Sequence, residues 1–572
     1  MRQAKKPSGK RGPRGDDDKH DLVFTALGGL GEIGMNVYLY GAGTGANRSW
    51  LMVDLGLTFP GDGEPGVDVV LPDVSTFKGR TSSLKGIVLT HAHEDHLGAL
   101  IELWPQLRAP VYATPFTAAM LRAKMQEYGA HPELEITEVP LGGRIDVGPF
   151  NVEFIAMAHS IPEPNALAIR VGGRTLLHSG DWKLDDHPVV GGPTDEARLR
   201  ALGDEGIDVL MCDSTNAFRD GTSPSESDIA KTLERLIKEA PHRVAVTTFA
   251  SNVGRIKAVA DATYAAGRQL VVCGRALHRI IDVSKETGYL PEDFRYSDQR
   301  EFGYLERKDV VALCTGSQGE SRAAMARVAS DDHPDVSLTR GDRVIFSSRT
   351  IPGNEKSVGA VQNALEAMGC EVITDAQALV HVTGHPRREE LRAMYGWLKP
   401  KALVPMHGEA RHLNEQVRLA KEAGITNTIA ALNGELVSLS VEPMKIIDDV
   451  PVGRLYRDGR LILPSDAGPV RERQTLSNVG IVVVGVTMTA KGELATEPDV
   501  VIDGVPYENQ DGDAMEDVIL DAVEGAIASL PRGGRRNGDT LRRAVEKSAR
   551  GAVAQVWGKR PIAKAMVMVL ER

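Results

Sequence analysis

Cysteine is scarce in this chain, with four among 572 residues, at positions 212, 273, 314 and 370. The four are far apart and form no CxxC pair, so the sequence predicts neither a disulfide framework nor a thiolate zinc site. Long apolar runs are also lacking: no stretch approaches the roughly 18 apolar residues that a membrane span needs, and the N-terminus has no apolar signal-peptide core. These absences predict a cytoplasmic protein without membrane contact, in which any metal must be held by histidine and carboxylate.

Positive charge is not in excess either. The net charge is −11, which argues weakly against a protein that coats nucleic acid nonspecifically but allows a local basic channel. The remaining composition is typical of globular proteins, with 42% apolar and 25% charged residues, and the length suits roughly three or four domains. Residues 1–20 differ, because Lys and Arg stand there among Gly, Pro and Asp; they predict a disordered basic tail, either solubilising or in contact with nucleic acid.

The glycine-rich segment GGLGEIG, residues 28–34, matches the GxGxxG pattern of dinucleotide-binding turns. Such a turn should lead into a helix of roughly ten or more residues. Here Met35 to Tyr40 instead continues the pattern of short apolar strands that begins at Leu22. A glycine-rich β-hairpin is therefore predicted in place of a nucleotide site.

Helical and strand patterns alternate from about residue 224 to residue 370, which is typical of a parallel α/β unit and predicts a separate, inserted domain. Beyond Val450 a passage rich in Pro, Gly and Asp predicts a linker, followed by two strands, amphipathic helices and a closing strand. The predicted organisation is, in chain order, a tail (1–20), the first part of a core domain (21–215), the inserted domain (216–375), the return segment of the core domain (376–449), the linker (450–474) and a C-terminal α+β domain (475–572).

Three histidines and two carboxylates lie within six consecutive residues, HAHEDH at 91–96, directly after the apolar run GIVLT. A solvated charged turn is the alternative, but so many of these side chains after a buried strand would repel one another or require partners in the absence of a metal. His91 and His93 are two positions apart, so both imidazoles project to one side of an extended segment, while Asp95 and His96 can face a second centre. The spacing therefore predicts two metal ions.

Four residues cannot fill the coordination shells of two ions, so the chain must supply further ligands. The candidates are His159 in AHSIP, Asp181 in SGDW and His407 in MHGE. Taken singly, each of these residues is more often an ordinary loop or core residue that already has its hydrogen bonds. The spacing alone therefore leaves the full ligand set open.

The pattern from HAHEDH through His159, Asp181 and His407 resembles the metallo-β-lactamase superfamily. The inserted stretch, together with MCDSTN at 211–216, TGHP at 383–386 and PMHGE at 405–409, resembles its β-CASP branch. Within that branch LGGLGEIGMN, FASNVGRI and SSRTIPGNE are similar to the bacterial ribonuclease J family, and the resemblance is strongest over residues 21–450. It implies an α/β fold: a metallo-β-lactamase αββα sandwich with an inserted β-CASP α/β domain and a small α+β C-terminal domain.

For the metal centre, the resemblance implies two zinc ions per subunit, with Mg²⁺ or Mn²⁺ able to support activity. It assigns one ion to His91, His93 and His159, the other to Asp95, His96 and His407, and the bridging position to Asp181. The implied catalytic residues are Asp95, Asp213 and His385. In these roles Asp95 would orient the attacking water or take its proton, and His385 would stabilise or protonate the departing 3′ oxygen.

The same resemblance implies two segments that bind the substrate. They are Ala250, Ser251 and Asn252, and the phosphate-binding loop of His381, Val382, Thr383, Gly384 and His385. Thr383 stands where Ser is expected, but a hydroxyl donor remains, so phosphate binding should survive. Backbone contacts from Arg255, Arg349 or Arg387 are further candidates, for which a surface salt bridge is the competing interpretation.

The implied function is that of a zinc-dependent ribonuclease for single-stranded RNA in RNA maturation and mRNA decay. It would combine 5′-to-3′ exonuclease activity, preferring 5′-monophosphate ends, with endonuclease activity, and a hydroxide bridging the ions would leave 5′-phosphate and 3′-hydroxyl ends. A homodimer or homotetramer and membership of an RNA degradation complex are also implied. The alternatives are a DNA-processing β-CASP nuclease and a noncatalytic RNA-binding subunit; a thioester or lactone hydrolase is disfavoured because such enzymes lack the inserted domain.

Overall fold

The computed structural model describes residues 21–570, except Ala130, Pro132 and Pro352, so the predicted basic tail at 1–20 lies outside the described residues. The chain divides into two compact units. The larger comprises Met1–Thr58 and Val70–Arg454, and the smaller comprises Phe59–Val69 and Leu455–Arg572.

Residues 21–215 contain the strands β1 (Leu22–Gly28), β2 (Leu30–Gly31), β3 (Val37–Ala42), β4 (Ser49–Val53), β5 (Val69–Pro72), β6 (Leu84–Val88), β7 (Val111–Ala113), β8 (Ile136–Glu138), β9 (Arg144–Val147), β10 (Phe150–Ala156), β11 (Asn165–Val171), β12 (Arg174–His178) and β13 (Val209–Asp213). The α-helices of this segment are α1 (Glu94–Leu97), α2 (Leu100–Leu107), α3 (Pro115–Tyr128) and α4 (Glu196–Glu205).

The inserted segment contains the helices α5 (Glu226–Glu239), α6 (Val253–Ala265), α7 (Arg275–Glu286), α8 (Ala324–Ala329) and α9 (Glu355–Ala367). Its strands are β14 (Val244–Thr247), β15 (Gln269–Cys273), β16 (Ser297–Asp298), β17 (Val310–Cys314), β18 (Arg343–Phe346) and β19 (Glu371–Ile373). These strands form one sheet in the order β16-β15-β17-β14-β18-β19, in which every pair is parallel. The predicted parallel α/β unit is confirmed.

The return segment contains α10 (Arg388–Leu398), α11 (Ala410–Glu422), β20 (Ala402–Met406), β21 (Gly408–Glu409), β22 (Asn427–Thr428), β23 (Glu435–Ser438) and β24 (Lys445–Asp449). It supplies strands to two sheets that the first segment began. One has the order β24-β23-β1-β3-β4-β6-β7-β8, and the other has the order β22-β20-β13-β12-β11-β10-β9.

The two sheets pack face to face. Phe24, Tyr40 and Leu51 of the first sheet belong to the same buried cluster as Phe154 and Leu176 of the second, as expected where two apolar sheet faces meet. A separate buried cluster joins the other face of the second sheet to α4, α10 and α11, and α3 contacts β7 and β8 on the first sheet. The αββα sandwich is therefore confirmed.

The glycine-rich segment at 28–34 is part of a hairpin connection, as predicted. β1 and β3 are antiparallel, with Gly28 paired to Val37, and the connection between them includes the short strand β2. Gly29, Gly31 and Gly34 all have positive φ angles, which glycine adopts without steric cost. The element that directly follows this segment is the strand β3 and not a helix, so the segment lacks the helix N-terminus of a dinucleotide site.

The smaller unit contains β25 (Arg454–Asp458), β26 (Leu461–Pro464), α12 (Gly468–Val479), β27 (Ile481–Thr489), β28 (Asp499–Asp503), α13 (Met515–Ser529), α14 (Arg532–Arg535), α15 (Gly538–Trp557) and β29 (Ile562–Leu570). Its sheet has the order β28-β27-β29, and alternate residues of β27 are buried against the helices. The predicted linker at 450–474 needs a correction: it holds an antiparallel hairpin of β25 and β26 and the start of α12, because Gly459 and Arg460 form a two-residue turn between the strands. None of the described helices is long and apolar enough to cross a membrane.

Candidate metal centre

The seven predicted ligands lie together at one end of the sandwich. The segment 91–96 follows β6, His159 follows β10, Asp181 follows β12, and His407 follows β20. β10, β12, β13 and β20 run in the same direction, so their carboxyl ends meet at one edge of the second sheet. This topology explains how residues more than 300 positions apart in sequence form one cluster.

His91, His93 and His159 form the first ligand group. His91 Nε2 lies 3.0 Å from His93 Nδ1, which lies 3.2 Å from His159 Nε2. Nitrogens bound to one tetrahedral zinc ion are separated by about 3.3 Å, because each zinc–nitrogen bond is about 2.0–2.1 Å long. The three nitrogens thus have the spacing of ligands to one ion.

Asp95, His96 and His407 form the second group, with Asp181 between the two groups. His407 Nε2 lies 3.2 Å from Asp95 Oδ2. Asp181 Oδ2 lies 3.2 Å from His96 Nε2 and 3.6 Å from His407 Nε2. It also lies 3.9 Å from the Nε2 atoms of both His91 and His159. One carboxylate oxygen therefore faces both groups, as a bridging ligand must.

Burial and charge set the protonation of these groups. Burial, reinforced by neighbouring imidazoles, lowers the pKa of His91 and His159 well below its usual value and that of His93 to about 4, which favours the neutral form that binds metals. Burial opposes the charge on Asp95 and Asp181, but the surrounding histidines hold the pKa of both carboxyls below the usual range. The result is ionised carboxylates beside neutral imidazoles at His91, His93 and His159. At His96 and His407 burial opposes protonation, but Asp181 and the other carboxylates around them raise the pKa of both rings.

The donor set fits metal ions. Asp181 is 3% exposed, and its Oδ1 atom is buried without a hydrogen-bond partner among the described residues. A buried, ionised oxygen without a partner is costly unless a cation or proton reaches it. The nitrogens of His91 and His93 that face each other at 3.0 Å also need a cation or a proton between them. Zinc suits this arrangement, because it accepts imidazole and carboxylate ligands together.

Asp54 is a functional residue that the sequence reasoning missed. Its carboxylate accepts a hydrogen bond from His96 Nδ1 at 2.7 Å and is held in turn by the amide and the hydroxyl of Thr90. This contact leaves His96 Nε2 facing the cluster and fixes the tautomer that binds metal. The signal was present in VDLG, where Asp54 directly follows the buried strand β4, as His91 follows β6.

Three of the other predicted ligand histidines are oriented in the same way. Each has an oxygen within hydrogen-bond distance of Nδ1, so that Nε2 faces the cluster. The pairs are His91 with Thr90 at 3.0 Å, His159 with the carbonyl of Gly384 at 2.6 Å, and His407 with Thr215 at 2.7 Å. His93 differs, because its Nδ1 atom is the one that lies among the other ligand nitrogens.

The loop 381–385 touches the cluster directly. Gly384 receives the hydrogen bond from His159, and His385 Nδ1 donates to Asp213 Oδ2 at 2.7 Å. Burial opposes protonation of His385, but Asp213 and Asp181 raise its pKa to about 9. His385, Asp213 and His407 also lie close enough together to form a third group of potential metal ligands. The predicted phosphate loop and the predicted metal centre thus share one wall.

Asn216, another residue not singled out from the sequence, supports this loop. Its Nδ2 atom donates to Thr383 Oγ1 at 2.9 Å and to the carbonyl of His385 at 3.2 Å. The amide of His385 also donates to Thr383 Oγ1, at 3.2 Å. Since the Thr383 oxygen already accepts two hydrogen bonds, its own hydrogen is available for a ligand.

The segment 250–252 lies at the carboxyl end of β14, where ligands of parallel sheets commonly bind. Ala250 and Ser251 are partly exposed, whereas Asn252 is buried and caps α6 by accepting from the amide of Arg255. The ring of Phe249 lies 6.4 Å from that of His381, which brings the two predicted substrate segments close together. Arg255 is fully buried in an ion pair with Glu226, while Arg349 is exposed.

Comparison with known families matches four regions of the chain. Residues 64–248 match the beta-lactamase superfamily domain, and residues 241–365 match the beta-CASP domain of ribonuclease J. Residues 370–430 match the Zn-dependent metallo-hydrolase RNA specificity domain, and residues 468–570 match the ribonuclease J C-terminal domain.

Whole-chain relatives agree. The chain is 48% identical to ribonuclease J of Sinorhizobium meliloti, over 95% of this chain and 96% of that one. It is 37% identical to ribonuclease J of Mycolicibacterium smegmatis, over 95% and 96% of the two chains. Among solved structures, a protein of unknown function from Enterococcus faecalis matches with a TM-score of 0.50 at 16% identity, covering 73% of this chain and 99% of that one, which indicates a shared fold alone.

Proposed function

The chain belongs to the ribonuclease J family, and from that membership we propose a metal-dependent ribonuclease that degrades single-stranded RNA in RNA maturation and mRNA decay. It works as a 5′-to-3′ exonuclease that prefers 5′-monophosphate ends, and it also cuts internally. The observation that carries this proposal is the contact between Gly384 and His159, which joins an anion-binding loop to a metal ligand. A terminal phosphate bound there would lie beside the metal centre.

The cofactor of the proposed enzyme is a pair of zinc ions held by His91, His93 and His159, and by Asp95, His96 and His407, with Asp181 between them. Such ions would supply Lewis acidity, which lowers the pKa of water toward neutrality and stabilises charge on a phosphate. Because all seven ligands lie together, the noncatalytic alternative is disfavoured.

Asp95 and His385 act at different points of the reaction, Asp95 on the incoming water and His385 on the departing 3′ oxygen. Asp95 is ionised and about one third exposed, so it can accept a hydrogen bond from an incoming water molecule and orient it. His385 Nδ1 donates a hydrogen bond to Asp213 Oδ2, and this carboxylate favours the protonated ring although burial opposes it. With Nδ1 engaged, Nε2 is the atom that can donate to a departing 3′ oxygen, which yields 5′-phosphate and 3′-hydroxyl products.

The preference for a 5′ monophosphate rests on the loop around Thr383. The Thr383 hydroxyl hydrogen is available, and the His385 ring is cationic beside it, so the loop offers a donor and a positive charge to an anion. A 5′ hydroxyl has no charge to bind there. The end group of the RNA should therefore control cleavage from the 5′ end.

We also propose that the protein forms a homodimer or homotetramer through its smaller unit. Met566 and Met568 on β29 and Val501 on β28 are 63%, 59% and 54% exposed, on the sheet face that the helices leave uncovered. Exposed apolar groups of this kind are common at protein interfaces. Light scattering should show an oligomer that Met566→Glu weakens; an unchanged mass would contradict this interface.

The test of the ribonuclease proposal is digestion of end-labelled RNA that carries a 5′ monophosphate, triphosphate or hydroxyl. Wild type should cleave the monophosphate substrate fastest, and His93→Ala and Asp95→Ala should lose cleavage of all three. His242→Ala, which removes a histidine outside the metal cluster, serves as the matched control and should behave like wild type. Undiminished cleavage by both site variants would refute the metal assignment, and equal rates on all ends would refute the phosphate pocket.

A further inference from the structure

The buried ion pair of Arg255 and Glu226 lies behind both predicted substrate segments. Arg255 is fully buried, and Glu226 is 5% exposed. Arg255 Nη2 donates to the two carboxylate oxygens of Glu226 at 2.9 and 3.2 Å, and Nε donates at 3.3 Å. Removing both charges from water carries a large desolvation cost, which excellent geometry and further hydrogen bonds can offset.

The remaining donor group of Arg255 reaches the phosphate-binding loop. Nη1 donates to the carbonyl of Val380 at 2.9 Å and to that of Ser347 at 2.8 Å. Ser347 Oγ donates to the same Val380 carbonyl at 2.7 Å. Val380 directly precedes His381, so these bonds fix the point at which the loop 381–385 begins.

The same pair holds the other substrate segment. Asn252 Nδ2 donates to Glu226 Oε1 at 3.3 Å, and Asn252 Oδ1 accepts from the amide of Arg255 at 2.8 Å. The side chain of Asn252 is therefore engaged within the protein, directly after Ala250 and Ser251. Both substrate segments are attached to one ion pair, which sets the distance between them.

The pair is also connected to the loop that carries Asp181. The amide of Glu226 donates to Asp185 Oδ2 at 3.0 Å, and Lys183 Nζ donates to the same oxygen at 2.8 Å. Asp185 and Lys183 are both buried, and they lie within four residues of Asp181. The substrate segments are thus fixed relative to a predicted metal ligand as well.

We propose that Arg255 and Glu226 are positioning residues that select the RNA end, an inference that rests on the ribonuclease function proposed above. Neither residue touches RNA. Together they hold Ala250–Ser251 and the loop 381–385 at the spacing at which a 5′ phosphate and the nucleotides that follow it bind at once. Loosening the pair reduces discrimination between 5′ ends and leaves the reaction at the metal centre intact.

Lysine at position 255 tests this role, because it keeps the positive charge but not the planar fork. A single ammonium group can reach Glu226 or the Val380 carbonyl, but it cannot reproduce the hydrogen bonds that the guanidinium makes to both. Arg343→Lys is the matched control. Arg343 begins β18 in the inserted sheet, where it pairs with Glu371 and donates to the carbonyl of Leu236. The substrate segment 250–252 lies at the opposite, carboxyl end of that sheet.

The experiment compares wild type, Arg255→Lys, Glu226→Gln and Arg343→Lys with two substrate types. Hydrolysis of bis(p-nitrophenyl) phosphate reports on the metal centre without any RNA end, and the ratio of kcat/KM for 5′-monophosphate and 5′-hydroxyl RNA reports on end selection. In Arg255→Lys and Glu226→Gln the ratio should fall about tenfold, which corresponds to one lost hydrogen bond, while small-diester hydrolysis stays within about twofold. Arg343→Lys should change neither quantity.

Three results would count against the proposal. A wild-type end ratio in both Arg255→Lys and Glu226→Gln would overturn it, as would a parallel loss of small-diester hydrolysis, since that loss indicates a role in overall folding. A wild type that shows no end preference would instead overturn the proposed function, and this inference with it.

Discussion

Substitution of Gly384 by alanine should disable the metal centre through a single steric contact. An added Cβ would lie 2.4 Å from His159 Cε1 and 2.5 Å from Nδ1. Carbon atoms are normally in contact at about 3.5 Å, so the loop and the imidazole must separate by about 1 Å. That shift would lengthen the 2.6 Å hydrogen bond from His159 Nδ1 to the Gly384 carbonyl and move a predicted zinc ligand. Misplacement by about 1 Å can cost about a hundredfold in rate.

The assay for Gly384→Ala is zinc content by elemental analysis together with kcat/KM on bis(p-nitrophenyl) phosphate. Gly396→Ala is the control, because Gly396 lies in α10 and an added Cβ meets no atom within 4 Å. Alanine in a helix interior should stabilise that variant by up to about 1 kcal/mol without affecting zinc. Wild-type zinc content and rate in Gly384→Ala would refute the steric argument.

Substitutions at three further positions test separate parts of the site and fold. Asp54→Asn should weaken zinc affinity by about 10- to 100-fold in competition with a chromophoric chelator, because the carboxylate that orients His96 is lost; unchanged affinity would contradict that role. Thr383→Ser should keep the preference for 5′-monophosphate RNA, whereas Thr383→Val should reduce it about tenfold, and an equal preference in both would show that the hydroxyl is not used. Glu153→Gln should lower the free energy of unfolding by about 2 kcal/mol at neutral pH, because the Glu153 carboxylate pairs with Arg144, Arg170 and Arg198. Burial opposes the charge on Glu153, but these arginines lower its pKa to about 2, so its stabilisation is complete above the unfolded pKa of about 4.3 and is lost as the pH falls toward 2. Urea denaturation should therefore show the difference between wild type and Glu153→Gln shrinking from pH 6 to about pH 3, and a constant difference would contradict the pairing.

Much of the fold could be predicted from the sequence, because periodicity and burial agree there. The alternating patterns from 224 to 370 predicted a parallel α/β unit, which the strands β14 to β19 form, and the segment 28–34 predicted a hairpin connection, which joins β1 to β3. Tertiary contacts decide other details, such as the division of residues 94–107 into the two helices α1 and α2. An added Cβ at Gly98 would lie 2.6 Å from Leu57, so the helix breaks where the chain packs closely against a distant loop. Local sequence does not report such a contact.

The candidate site, too, could be predicted from the sequence only in part. His91, His93, Asp95 and His96 were recognisable because they lie close together in sequence, whereas the three distant ligands, His159, Asp181 and His407, were assigned only through a family resemblance. Asp54 and Asn216 were not recognised, since their roles depend on which strand ends meet when the sheets form. The role of Arg255 could not be predicted either, because an arginine near a nucleic-acid segment is ordinarily expected at the surface, whereas this one is buried among backbone carbonyls.

Ribonuclease activity is proposed to depend on two metal ions that seven side chains hold. The most direct measurement is RNA cleavage by metal-stripped protein as zinc is added in known ratio to the chain. The protein should be inactive without metal and should regain full activity only when about two equivalents per chain have been added, as expected for a site in which two ions act together on one phosphate. Full activity after one equivalent, or undiminished activity in the presence of a chelator, would contradict a two-metal site.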